Sequence, residues 1–294
     1  MNEVQRAARL LAPAALLAAA LLLPGPPLAA APPPVAPQTL ELGKGPTIVI
    51  VHGLGGSRTS WMPTMRKLIG SHRVVLVDVP GHGGSPLPDP FALEAAAEAL
   101  DQVLAKQNPD STVLVGQGLG GMLLLQDLKV HPNRARGLVL IDANLKSPLK
   151  ADDAEQVKWF NRQLDERYDD FIKMVYSMAG RDSAEGLRIR AMVAQVPPVT
   201  MKSYFRAVFA ADVSSAYKSL KIPVLFVGTD RLFKGPAGKE QDWATVGKLL
   251  GFDDPASVPL RRIVGSSTLV MQDLPDSLAA VIADFGARSL AAKK

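Results

Sequence analysis

The stretch STVLVGQGLGGMLLL, residues 111–125, constrains the fold more than any other part of this chain. A β-branched apolar run leads directly into Gly116-Gln117-Gly118-Leu119-Gly120-Gly121, and a helix-forming run follows. Val packs well on a pleated surface, whereas Leu and Met lose little rotamer freedom in a helix. Glycines between them open backbone conformations that side chains disfavour. The order strand, tight turn, helix is the unit from which parallel sheets are built.

The same alternation runs along most of the chain. Candidate strands lie at 47–51, 74–79, 112–115, 137–141, 223–227 and 260–264. Helical periodicity fills 91–105 and 119–129, and a final amphipathic stretch at 275–290 is placed to pack on the sheet. Continuous apolar strands separated by helices indicate a parallel sheet covered on both faces. The expected fold class is therefore α/β, a doubly wound and mostly parallel sheet. One stretch interrupts the pattern. Residues 146–220 carry no strong strand signal, only charged, Met- and aromatic-containing helical segments such as 159–168 and 170–178. The sheet pattern resumes at Ile222. This predicts a core of residues 40–145 and 221–292, with residues 146–220 as a helical cap over the carboxyl ends of the strands.

Residues 1–31 differ in kind. Arg6 and Arg9 precede an apolar run at 10–23, then Pro24-Gly25-Pro26-Pro27 and Ala29-Ala30-Ala31. Basic, apolar and small residues in that order predict a secretory signal peptide, and the run is short of the roughly 20 residues needed to span a bilayer. Residues 32–39 read as a Pro-rich linker. The expected location is periplasmic or secreted. With no cysteine, stability must come from core burial and not from disulfides. Removing residues 1–31 lowers the formal net charge from +5 to +4. No dense Lys/Arg run exists, so no nucleic-acid partner is expected. No His/Cys/Asp group has ligand spacing, so no metal is expected. The glycines at 116–121 do not form a dinucleotide fingerprint, and no cofactor is expected.

Six ordered segments resemble the α/β-hydrolase superfamily, in particular its small capped esterase, lactonase and epoxide-hydrolase-like members. TIVIVHGLGGSRTSW, 47–61, is similar to the strand and oxyanion loop of that family, and VVLVDVPGHGGS, 74–85, to its next strand and loop. GQGLGG resembles the nucleophile elbow G-x-S-x-G. HPNRARGLVLIDA, 131–143, resembles the strand before the cap, and IPVLFVGTDRLF, 222–233, the strand ending at the triad acid. IVGSSTLVMQDLPDSLAAVIADF, 263–285, resembles the segment that presents the triad histidine.

The resemblance implies a site, and this chain departs from it. Gly118 occupies the nucleophile position, Asp230 the acid and Thr268 the histidine; Leu54 and Leu119 match the oxyanion-hole positions. The family order is Ser, acid, His along the chain. The four histidines are His52, His72, His82 and His131, so none follows the acid position. In the family, histidines at the positions of His52 and His82 are structural; His72 and His131 are expected to face solvent. Asp230 is expected either to anchor a ligand or to pair with backbone amides or Arg231. Asp142, at a strand end, is an alternative acid or a cap for the loop after it.

Three uses remain open at the level of sequence. The first is a catalytically inactive hydrolase scaffold binding a small apolar or ester-like ligand, with Leu54, Gln117, Gly118, Leu119, Asp230 and Thr268 around it under Trp159, Phe160, Met174 and Tyr176. The second is a hydrolase of small esters or lactones that uses water activated by Asp230 or Asp142. The third is an envelope protein that binds a protein partner through its cap.

Overall fold

The computed structural model describes residues 35–147, 152–177, 179–234 and 239–292. The expected export segment, the first residues of the linker, and residues 148–151 and 178 of the expected cap lie outside them.

The described residues form one seven-stranded sheet in the order β1-β3-β2-β4-β5-β6-β7. The strands are β1 Thr39–Leu42, β2 Thr47–Val51, β3 Arg73–Val77, β4 Thr112–Gln117, β5 Gly137–Ile141, β6 Val224–Thr229 and β7 Leu260–Ile263. β1 pairs antiparallel with β3, and every other neighbouring pair is parallel. Helices α1 Met62–Leu68, α2 Leu93–Leu104 and α3 Leu119–Val130 connect the first half. Between β5 and β6 lie α4 Ala154–Glu166, α5 Tyr168–Ser177, α6 Ser183–Val193, α7 Pro198–Ala210 and α8 Ser214–Ser219. The second half adds α9 Asp230–Phe233, α10 Trp243–Leu250, α11 Val270–Asp273 and α12 Pro275–Ala291.

Period-two alternation sorts the strand residues into two cores. Val49, Val51, Leu114, Leu138 and Leu140 face a layer containing α2 and α3, with Leu100, Leu124 and Leu128. Ile48, Ile50, Val113, Val115 and Val139 face α1 and α12, with Trp61, Met65, Leu278 and Ile282. Both faces are buried, which is why the central strands read as unbroken apolar runs. β1 escaped the sequence reading because its pattern is almost wholly exposed. It begins at Thr39, one residue inside the stretch read as linker. β4 and β6 each run two residues past their expected ends. Gln117 pairs with Ile141 and Thr229 with Ile263, so ladder bonds extend these strands where side-chain type does not.

The helices after β5 have a small core of their own in Phe160, Leu164, Phe171 and Phe209, with Phe160 stacked on Phe209 at 4.4 Å. Two tyrosines tie them to loops at the carboxyl ends of the strands. Tyr176 donates to the Leu54 carbonyl at 3.3 Å and Tyr204 to the Pro80 carbonyl at 2.9 Å.

Sheet order also places the crevice. From β2 the chain steps to β3 on one side, and β4 returns to the other side of β2. At such a switch point the connections diverge, leaving a cleft outside the carboxyl ends of the strands. Leu54, after β2, and Gly118, after β4, border it.

Phe226 on β6 is fully buried, with ring centroids of Trp243 and Phe252 at 5.0 and 5.6 Å. Phe226→Ala is expected to lower unfolding free energy by about 3–5 kcal/mol, measured by urea denaturation.

Candidate functional site

β4 ends at Gln117 and α3 begins at Leu119, so Gly118 alone makes the turn. Its φ of 49° and ψ of −114° lie in a region costing a side-chain-bearing residue roughly 1–3 kcal/mol. The flanking glycines have a different cause. A Cβ on Gly116 would stand 2.6 Å from the Gly121 Cα, and one on Gly120 would collide with the Val51 carbonyl. Their absence of side chain lets α3 rest directly on β4 and β2. A Cβ on Gly118 would meet nothing within 4 Å. The turn aims its central residue at open space, and that residue has nothing to present.

The space is a crevice of two lobes, about 180 and 300 Å³. Leu54, Gly118, Leu119, Tyr176, Arg231 and Thr268 line both. The smaller lobe also reaches Gln117, Asp142, Ile189, Met192 and Val193; the larger reaches Asn144, Val175 and Val208. Of the ligand-binding positions that the resemblance implied, Leu54, Gln117, Gly118, Leu119 and Thr268 border the crevice, and Asp230 lines neither lobe. The expected apolar lid needs correction. Trp159 and Met174 are about half exposed, and Phe160 is buried in the separate helical core. Of the four, Tyr176 lines the crevice. Helical periodicity marks an apolar face but not which neighbour that face meets.

Leu119 opens α3, so its N–H has no carbonyl one turn earlier and sits at the positive end of the helix dipole. Thr268 is turned inward. Its carbonyl accepts the Gln117 amide Nε2–H at 2.6 Å, while its buried Oγ1 has no hydrogen-bond partner among the described residues. Gln117 is thus held at the crevice wall by a backbone acceptor.

Asp230 pairs with a backbone amide, one of the expected alternatives, but its charged partner is not Arg231. Oδ1 accepts from Arg262 Nε and Nη2 at 3.0 and 2.8 Å, and Oδ2 accepts the Gly265 N–H at 2.6 Å. Burial works to raise its pKa, but the Gly265 N–H and the Arg262 guanidinium together hold the carboxyl below its ordinary value. Arg262, and not Arg231, is the ion-pair partner; Arg231 instead borders the crevice. Arg262 lies opposite Gly228 in the β6–β7 register and stacks 4.6 Å from the Phe233 ring. The arginines of the short strand Leu260–Ile263 were the available signal for this pair.

Asp142 bonds across the sheet, not to the loop after it. Its carboxylate accepts the Thr229 N–H at 2.9 Å and the Thr229 hydroxyl at 2.6 Å, linking the ends of β5 and β6. It adopts a positive φ of 46°. Burial raises its pKa, with the Thr229 bonds opposing.

His52 and His82 act as struts. His52 Nε2 accepts the Val79 N–H at 3.0 Å and its Nδ1 donates to the Gly53 carbonyl at 2.8 Å. His82 Nε2 accepts the Gly55 N–H at 3.1 Å. Burial lowers His52 to about 4; burial, then the neighbouring His52, lowers His82 to about 3. Both are neutral near pH 7. His72 is half-buried beside the Ser71 hydroxyl, and His131 half-buried 3.6 Å from Asp101. Neither is simply solvated.

Residues 48–281 match the model of the alpha/beta hydrolase family. The biotin biosynthesis bifunctional protein BioHC of Cellvibrio japonicus is 26% identical over 249 residues, 82% of this chain and 47% of that protein. The pimeloyl-[acyl-carrier protein] methyl ester esterase of Pseudoalteromonas atlantica is 30% identical over 156 residues, 50% of this chain and 59% of the esterase. This chain thus spans about half the length of these relatives. A solved hydrolase structure from Oleispira antarctica superposes with a TM-score of 0.70 at 14% identity, covering 85% of this chain and 94% of the other.

Because Gly118 has room but a costly backbone, Gly118→Ser is expected to fold and to lose roughly 1–3 kcal/mol of stability. Thermal and urea unfolding measure it, and an unchanged or raised melting temperature refutes the strain. Acid should also destabilise the protein in a defined window. Below pH 6.5 the unfolded chain protonates at His52 and His82, whereas the folded chain resists until about pH 4 and 3. Stability therefore falls as pH drops from 6.5 toward 4, by about 1 kcal/mol per pH unit for each histidine, with no contribution from either above that window. Urea midpoints from pH 7 to 4 provide the measurement.

Proposed function

The chain belongs to the alpha/beta hydrolase family, and on that scaffold we propose that it binds a small, largely apolar or ester-like ligand at Gly118 without hydrolysing it. The observation that carries this reading is that, among the described residues, no proton-passing pair stands at the elbow. Acyl transfer needs an oxygen or sulfur nucleophile within hydrogen-bond reach of a base. Gly118 offers neither, and a threonine hydroxyl such as that of Thr268 is no base near pH 7. Asp230 is occupied by Arg262 and Gly265. The oxyanion-type donors alone leave about 10³ to 10⁴ over the water reaction, judged from triad deletion in proteases.

The crevice favours a ligand of modest size, since ligand sites generally run from about 300 to 1,000 Å³. Ile189, Met192 and Val193 supply apolar contact, and Thr268 Oγ1 supplies a buried polar atom awaiting a partner. Arg231 and Asn144 add polar edges. The signal-like N-terminal segment supports placing this binder in the periplasm or outside the cell.

A second reading rests on Asp142, which borders the same lobe as Gly118 and whose pKa burial raises. It would activate water in the space a serine would fill. Short-chain p-nitrophenyl esters separate the two readings. Wild type is expected to show no turnover above Asp142→Asn, and the pair Gly118→Ser with Thr268→His to gain slow turnover that neither single change gives. Wild-type turnover falling tenfold or more in Asp142→Asn would replace binding with hydrolysis.

A further inference from the structure

A second group of polar residues lies on the outer layer, away from the crevice. Asp127 is 2% exposed, yet neither of its carboxylate oxygens has a hydrogen-bond partner among the described residues. Burying a carboxylate unpaired is costly, so such a group ordinarily carries a proton or faces a cation. Asp127 and His131 are four residues apart at the end of α3 and share one face. Packing of α2 on α3 brings Asp101 beside them, and one ligand atom from each of the three lies within 4.8 Å of the others. Asp101 Oδ2 to His131 Nε2 is 3.6 Å, close to the separation of two donors each about 2.0–2.2 Å from one zinc ion.

We propose that Asp101, Asp127 and His131 hold a divalent transition-metal ion between α2 and α3. One imidazole nitrogen with two carboxylates suits zinc or cobalt better than calcium or magnesium, which prefer all-oxygen sets. Arg134 orients the site from behind, donating to Asp101 Oδ1 from Nε at 2.6 Å and to Oδ2 from Nη2 at 2.9 Å. Such outer bonds fix a ligand while leaving it lone pairs. A cavity of about 330 Å³ opens onto Asp127 and His131, and Glu94 and Glu98 at its rim attract cations. Asp127 and His131 stand roughly 12 and 18 Å along the helix from Leu119 at the crevice. A bound ion therefore clamps α2 to α3 and takes no part in events at Gly118.

Sequence spacing did not show this site because Asp101 joins it only through helix packing.

Chelator-stripped full-length protein titrated with zinc provides the test, followed by melting temperature and calorimetry, with cobalt absorption reporting the ligand field. Saturable 1:1 binding with a raised melting temperature is expected, weakened tenfold or more by His131→Ala and by Asp127→Asn, and unchanged by His72→Ala. His131 is half-buried at a helix end, so that variant decides the matter if Asp127→Asn fails to fold. No saturable zinc effect, or one that survives His131→Ala, overturns the proposal. So does an Asp127→Asn variant that is more stable than a zinc-insensitive wild type, because the two carboxylates then share a proton instead.

Discussion

The first turn of α3 lies directly against the backbone of β4 and β2, and the crevice takes its shape from that contact. Gly116, Gly120 and Gly121 each sit where a methyl group would strike a neighbouring backbone or side chain. The close approach leaves no length for a relaxed loop, so the chain turns from strand to helix through the single strained residue Gly118. The same approach directs the first N–H groups of α3 at the cleft of the switch point. A helix start, a strand end and an outward-facing turn residue arise from one packing constraint.

Around this turn, Asp230, Asp142, His52 and His82 are each held by partners of their own. Arg262 and the Gly265 N–H hold Asp230, Thr229 holds Asp142, and backbone groups hold both buried histidines. A group locked this way stabilises loops and is poorly placed to exchange protons. Thr268 Oγ1 is the exception, a buried hydroxyl without a partner among the described residues, on a residue that lines the cleft. A ligand-binding role needs an unsatisfied polar atom of this kind, whereas acyl transfer needs a connected pair. The arrangement favours recognition over turnover, which is the basis of the function proposed above.

Much of the sheet was legible because both faces of the central strands are buried, so their apolar runs stand out locally. β1 was not, because an exposed edge strand of four residues carries no such run. At the cleft, Leu54, Gln117, Gly118, Leu119 and Thr268 could be placed from motif positions. Tyr176, Arg231 and the α6 side chains could not, because an amphipathic helix announces only that it has an apolar face. The charged partner of Asp230 was missed for a related reason. Arg231 is its neighbour in sequence, while Arg262 reaches it through the parallel pairing of β6 with β7.

By itself, the sequence determined the α/β layering, the family, and which residue types stand at the elbow, the acid and the histidine positions. These follow from local periodicity and from identity at fixed positions, which need no third dimension. Tertiary structure alone decided which charges are paired, which hydroxyl is left unsatisfied, and that Asp101 meets Asp127 and His131. Hydrogen bonds and ion pairs act over about 3 Å between segments distant in the chain, so they are set by packing and are invisible to spacing.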